Sequence, residues 1–394
     1  MSLLALSGFV LLSALATAGG RHIDSRDVCS SSPFQPSTCP HPPSSPWKFR
    51  GKCHTPKNTS ESFCVYSSHA FADGQGVSIL TTLDRAESIR QLPVFGKKGA
   101  LSGVKTQSSP PYEERELPGR GRGLIANKTL HRGDVIFAQT PILIIDERVW
   151  GVLEREQHTE LAQAAVDGLP PGSKKVFWEL FNRNASDPVI SRIYTNAFDC
   201  EIEQSGYFIV VPEVSRLNHD CRPNAAYFFD SQTLTHYVHA QTTITPGTEI
   251  TIAYLNPRMP RQERRIRLSS IWGFDCSCSL CSMHPRLTQE SDARLVQMAA
   301  LLGRLNEWRT ASPEIAQTLV SLYDQERIYA SCSAYRYAAL TSCAAGRRWD
   351  TIRYARLAVE TGLISWGFRD EDVQAMVRLA EQPERELCWL QRMM

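Results

Sequence analysis

The spacing of apolar side chains changes character along the chain. From residue 289 onward they recur every three or four positions without β-branched runs between them. This predicts helices over residues 293–308, 314–323, 333–345, 351–360 and 372–380. Short helices in succession predict an array of αα-hairpins. The period of about 34 residues that marks tetratricopeptide repeats is not evident, so none is assigned. Upstream the pattern is mixed. Strand-like runs cover residues 74–83, 207–211, 226–229 and 249–254, and helical spacing covers 84–91, 147–165 and 174–184. Residues 135–145 are apolar but interrupted by Pro141, which predicts two short strands or an edge. Residues 96–111 have the composition of a linker, and residues 21–62 are rich in Ser, Pro and Cys.

The resulting division is a leader over 1–18, a Cys-rich segment over 19–95, the linker, a central unit over 112–288 and a helical region over 289–394. Residues 1–20 are an uncharged apolar run ending in Ala16-Thr17-Ala18, the layout of a secretory signal peptide without its usual basic start. A membrane anchor and a buried helix are the competing readings. No later stretch reaches about 18 uninterrupted apolar residues, so no transmembrane span is expected in the mature chain.

Composition narrows the classes. With 42% hydrophobic and 21% charged residues over 394 positions, a largely disordered or fibrous protein is excluded. Forty-three Lys and Arg against 41 Asp and Glu leave a charge of +2, so the sequence carries no direct evidence of nucleic-acid binding. Cys29, Cys39, Cys53 and Cys64 are an even number separated by turn-rich segments, which predicts two disulfides; reduced thiols, buried or loosely metal-bound, are the alternative. Asn58, Asn127 and Asn184 head N-glycosylation sequons. These features favour the secretory pathway, with the nucleus or cytosol as the alternative.

Four clusters carry candidate chemistry. Gly119-Arg120-Gly121-Arg122-Gly123 reads either as a close-approach loop for a ligand or as a flexible turn. Asn218-His219-Asp220-Cys221-Arg222-Pro223-Asn224 packs two amides, an imidazole and a thiol into seven residues. Residues 249–254 (EITIAY) form a strand pattern ending in Tyr254, which alone reads as a half-buried aromatic. Cys276, Cys278 and Cys281 make a C-x-C-x2-C run. Its three thiolates suit one tetrahedral zinc with Cys221 as the natural fourth ligand; a redox or disulfide role is the alternative. Residues 261–267 (RQERRIR) read as a solvated basic helix face, a patch for an acidic partner being the alternative.

In this order the clusters resemble a SET-domain methyltransferase with a post-SET cysteine segment, over residues 112–281. The helical stretch between residues 146 and 196 and the helical C-terminal region resemble the SMYD branch, without its MYND finger. The N-terminal segment resembles a group of fungal SET proteins. The resemblance implies an α+β fold: a SET-domain β-fold with a helical insertion, followed by an all-helical region. It implies S-adenosylmethionine held by Gly121, Arg122, Gly123, Asn196, Ser215, Asn218, His219, Tyr254 and Phe274. Tyr254 would be the catalytic residue, and a structural zinc would sit on Cys221, Cys276, Cys278 and Cys281. The implied partner is a protein presenting a lysine ε-amine, a histone being one candidate. Asp220 stands where the family usually has serine, which is expected to tune the site. Rival readings are methylation of a small molecule and an inactive zinc-bearing interaction module.

Overall fold

A computed structural model describes residues 47–57, 59–97, 99–102, 104, 109–329 and 331–393. The leader, Cys29, Cys39 and Asn58 lie outside the described residues. The fold is α+β, with three sheets followed by a helical C-terminal region.

The largest sheet has six strands in the spatial order Lys48–His54, Phe63–Ser68, Val77–Thr82, Leu143–Asp146, Ser205–Val210 and Ala197–Ile202. Only the central pair, Val77–Thr82 with Leu143–Asp146, is parallel. Strands on both sides of the linker, from the Cys-rich segment and from the central unit, therefore share one sheet. Asp146 pins that junction. It is fully buried, accepts a hydrogen bond from the Thr81 hydroxyl at 2.9 Å, and pairs with Arg85 at 2.8 Å and Arg148 at 3.0 Å. Val65, Ile79, Leu80, Leu143, Ile144, Ile145, Ile209 and Val210 are fully buried, so both sheet faces are covered. Cys53 lies opposite Cys64 in the first strand pair and is disulfide-bonded to it. A second disulfide, Cys343–Cys388, was not anticipated; it ties the C-terminal segment to the helix Ser333–Ala344.

A four-stranded sheet orders Asn218–His219, Glu249–Ile252, Gly121–Ala126 and Tyr112–Leu117, the first pair being parallel. A three-stranded sheet orders Ala225–Asp230, Thr235–Ala240 and Val135–Gln139. The apolar run 135–145 is thus two short strands placed in different sheets on either side of Pro141.

Helices depart from expectation mainly in the insertion. Residues 147–165 break into Val149–Val152 and Arg155–Asp167, because Leu153 is extended and Glu154 starts the second helix with a capping box to Gln157. Helix Pro188–Asn196 falls within the helical stretch between residues 146 and 196, although no apolar spacing marked it separately; Pro188 at its first turn and Asp187 as its cap are its start signals. Past residue 285 the helices are Pro285–Leu305, Pro313–Gln325, Ser333–Ala344, Arg348–Ser365 and Glu371–Glu381, close to the predicted spans. Their apolar faces build a separate core around Leu295, Met298, Leu319, Ala338, Ala355 and Met376. No helix among the described residues is long and apolar enough to cross a membrane.

Two readings need correction. The helix Arg261–Arg267 is not simply a solvated face, since Arg264 is 2% exposed and faces the cysteine cluster. The strand Glu249–Ile252 ends two residues before Tyr254, which stands in the bend that follows.

Candidate active site

The glycine cluster is a tight turn opening into a strand. Gly119 and Gly121 have φ of +71° and +66°, a region open to glycine at little cost. Gly123 is inside the strand Gly121–Ala126, where a Cβ would stand 2.6 Å from Leu117 Cδ1 and 2.9 Å from both Asn218 Nδ2 and Glu249 Oε1. The absent side chain lets Asn218 approach. Its Nδ2 donates to the Arg122 carbonyl at 3.2 Å and to Glu249 Oε1 at 2.8 Å. Arg120 completes the unit, pairing with Glu249 at 3.0 Å and donating to the His219 carbonyl at 3.1 Å.

His219 sits on the parallel pair with Glu249–Ile252 and is 3% exposed. Burial pushes its pKa down to about 4, so the ring is neutral at physiological pH. The Tyr254 amide donates to Nδ1 at 3.0 Å, which leaves the proton on Nε2, 3.3 Å from Cys221 Sγ. The imidazole thus links the tyrosine backbone to the cysteine cluster. The Tyr254 hydroxyl donates to the Leu217 carbonyl at 2.7 Å, and burial raises its pKa above the ordinary phenol value. Trp272 packs on the Tyr254 ring at 5.1 Å, and its indole N–H donates to the Thr195 carbonyl at 3.2 Å. Phe274 stands edge-on to Tyr254 at 6.4 Å and 6.3 Å from His219.

Asn196 ends its helix with Nδ2 donating to the carbonyls of Phe181 and Arg192, and its own carbonyl accepts from the Ser215 hydroxyl at 2.8 Å. These parts enclose a cavity of about 540 Å³. Gly121, Arg122, Asn196, Ser215, Asn218, His219, Tyr254 and Phe274 all line it. Gly123 does not; it acts from behind, by its missing Cβ. Arg120, inside the glycine cluster, also lines the cavity, as do Asn182 and Trp272, which escaped the sequence reading because neither lies in a recognisable pattern. Asn182 Oδ1 is buried without a hydrogen-bond partner among the described residues. A buried acceptor left open in a cavity suits a ligand N–H.

Cys221, Cys276, Cys278 and Cys281 are all buried, with their sulfurs within 4.8 Å of one another. The Cys221 sulfur is 3.5 Å from that of Cys281 and 4.0 Å from that of Cys276. Zinc–sulfur bonds of about 2.3 Å in a tetrahedron require sulfurs about 3.8 Å apart, between those two values. Arg264 beside the cluster offsets thiolate charge. Donor number, spacing and charge fit a structural zinc. A second cavity, of about 450 Å³, lies between the sheets and the C-terminal helices, and Tyr254 and Cys221 line it too.

Residues 121–255 match the SET domain family model. The chain is similar to Histone-lysine N-methyltransferase set5 of Schizosaccharomyces pombe, 29% identical over 191 residues, covering 48% of this chain and 56% of that one. It is also similar to Histone-lysine N-methyltransferase SMYD3 of Homo sapiens, 29% identical over 149 residues, covering 36% of this chain and 32% of that one. With Protein-lysine N-methyltransferase SMYD4 of Mus musculus it shares 34% identity over 149 residues, covering 36% of this chain and 16% of the relative. The matched region spans about half the length of the first relative and less of the others.

Proposed function

We propose that the SET domain carried by this chain transfers a methyl group from S-adenosylmethionine to a lysine ε-amine of a protein. One observation carries the reading: Tyr254 lines both cavities, so a ligand in each would meet at its ring. Similarity to lysine methyltransferases supports the same reading.

The cofactor would supply an activated methyl on a sulfonium, so the protein's task is alignment. The glycine turn, Asn196, Ser215, Asn218 and His219 would hold it, and Phe274 would offer an aromatic face. Asn182 would accept from it. Aligning the reactants in advance can remove a barrier of up to about 7–11 kcal/mol. The Tyr254 hydroxyl spends its proton on the Leu217 carbonyl, so its oxygen lone pairs are free to accept from an entering amine. Its raised pKa keeps it a phenol across the working range. Burial, together with a neighbouring positive charge, lowers the lysine pKa and favours the neutral nucleophile. Zinc on Cys221, Cys276, Cys278 and Cys281 would have no open position for water, which makes it structural. It would tie Trp272 and Phe274 to the strand carrying His219.

Calorimetric titration with S-adenosylhomocysteine tests the reading. Stoichiometric binding, weakened by Asn218→Ala, is expected. Absence of binding to the folded, zinc-loaded chain would leave only a scaffold role.

A further inference from the structure

The charged side chains lining the 450 Å³ cavity are all of one sign. Its charged lining residues are Arg222, Arg258 and Arg327; among the described residues, no carboxylate lines it. Arg222 is paired, at 2.7 Å, with Glu326, which stands behind the wall and is shared with Arg294. Arg258 donates to the Tyr323 hydroxyl at 3.0 Å, and Arg327 is exposed. Neither has a carboxylate within ion-pair distance among the described residues. The adjoining cavity of about 370 Å³ is different: it holds Asp324 and a balanced Arg132–Glu360 pair. The uncompensated positive charge is therefore concentrated next to Tyr254.

A second observation points to a ligand in the same place. Gln241 lines the cavity at 2% exposure, with its Nε2 spent on the Pro223 carbonyl and its Oε1 buried without a partner. Arg222, with a side chain 8% exposed, has its Nε likewise buried without a partner. One buried acceptor and one buried donor match the N–H and C=O of a peptide main chain.

We propose that this cavity selects protein segments in which the target lysine is flanked by carboxylate side chains. Arg258 and Arg327 hold the carboxylates, and Gln241 and Arg222 hold the segment's main chain. A lysine alone would enter the field of Arg258 and Arg327, neither of which has a carboxylate beside it among the described residues to offset the repulsion. A flanking Asp or Glu supplies that offset, whereas a run of basic residues adds to the repulsion. The same field favours the neutral amine over the ammonium once the segment is seated. The inference rests on the methyltransferase reading and adds a substrate class to it: acidic contexts, in preference to strongly basic tails.

Two short peptides that differ only in the residues beside one central lysine, glutamates in one and arginines in the other, test it. Binding is read by fluorescence anisotropy with S-adenosylhomocysteine present, and methylation by mass spectrometry. The glutamate peptide should bind about tenfold more tightly at low salt, or ~1.4 kcal/mol, with the gap narrowing as salt rises. Arg327→Glu, at an exposed position where folding is not at risk, should abolish or reverse the preference. Arg258→Glu should act in the same direction. Equal or tighter binding of the arginine peptide, a preference indifferent to both charge reversals, or no binding of either peptide would overturn the inference. So would full displacement by a small dicarboxylate, which would make the cavity a small-anion site. Titrating the cofactor product on the same sample separates the two claims. Failure to bind it sinks the methyltransferase reading, while the charge preference is judged on the peptides.

Discussion

Glu326→Gln removes the charge that joins the SET region to the C-terminal helices. Its carboxylate is 2% exposed and accepts from Arg222 at 2.7 Å, Arg294 at 2.7 Å and Ser291 at 2.8 Å. Arg222 in turn donates to the carbonyls of Cys221 and Pro257, so the node reaches the cysteine cluster. Burial by itself disfavours the ionised carboxylate. Hydrogen bonds from Arg222, Ser291 and Arg294 outweigh that cost, and the pKa is lowered from its ordinary value of 4.5. Breaking one partner of a buried pair costs roughly 3–5 kcal/mol. Arg294 remains 28% exposed and water takes up part of its charge, so about 3 kcal/mol is expected. The assay is urea unfolding followed by tryptophan fluorescence across pH. A carboxylate with a depressed folded-state pKa contributes stability that is present above its unfolded value and lost as pH falls through the folded one. The gap between wild type and variant should therefore be full at neutral pH and close well below pH 4.5. Glu290→Gln, which breaks the exposed pair with Arg286, should cost below about 0.5 kcal/mol. Equal stability of Glu326→Gln and wild type at neutral pH, or a gap that persists in acid, would refute the reasoning.

Tyr254→Phe should reduce methyl transfer by at least about a hundredfold while calorimetry shows cofactor affinity nearly unchanged, because only the hydroxyl at Leu217 is lost. Elemental analysis should find one zinc per chain, and Cys278→Ser or a strong chelator should remove it and weaken cofactor binding, since metal affinity is part of the local folding free energy. Gly123→Ala should destabilise the chain by about 1–3 kcal/mol and weaken cofactor binding by pushing Asn218 off its partners; unchanged melting and affinity would contradict this. In the open helix interior at Gly303, alanine should instead stabilise by about 0.4–1 kcal/mol in the same melting assay.

How legible each part was depended on how local its signal is. The C-terminal helices carry one apolar stripe each, so spacing predicted their positions to within a few residues at most ends. Strand Tyr112–Leu117 was missed because it is a sheet edge with mostly exposed, charged side chains and no alternation. The glycine cluster read as turn or loop because nothing local reveals that Gly123 is a strand residue under pressure from Asn218 and Glu249. The sequence reading grouped all four cysteines, Cys221 included as the fourth member, although the approach of Cys221 to the distant run is made by the fold. Asn182 and Trp272 reach the cavity only through tertiary packing, and the Cys343–Cys388 pairing is likewise a product of the fold.

The central claim is that two cavities meeting on Tyr254 bring a methyl donor to a protein lysine. The most direct measurement incubates the zinc-loaded chain with labelled S-adenosylmethionine and protein extract, then maps the label by mass spectrometry. Label on lysine ε-amines, lost with Tyr254→Phe, is the predicted result. No transfer to any protein under conditions where cofactor binds, or transfer undiminished in Tyr254→Phe, would contradict the account.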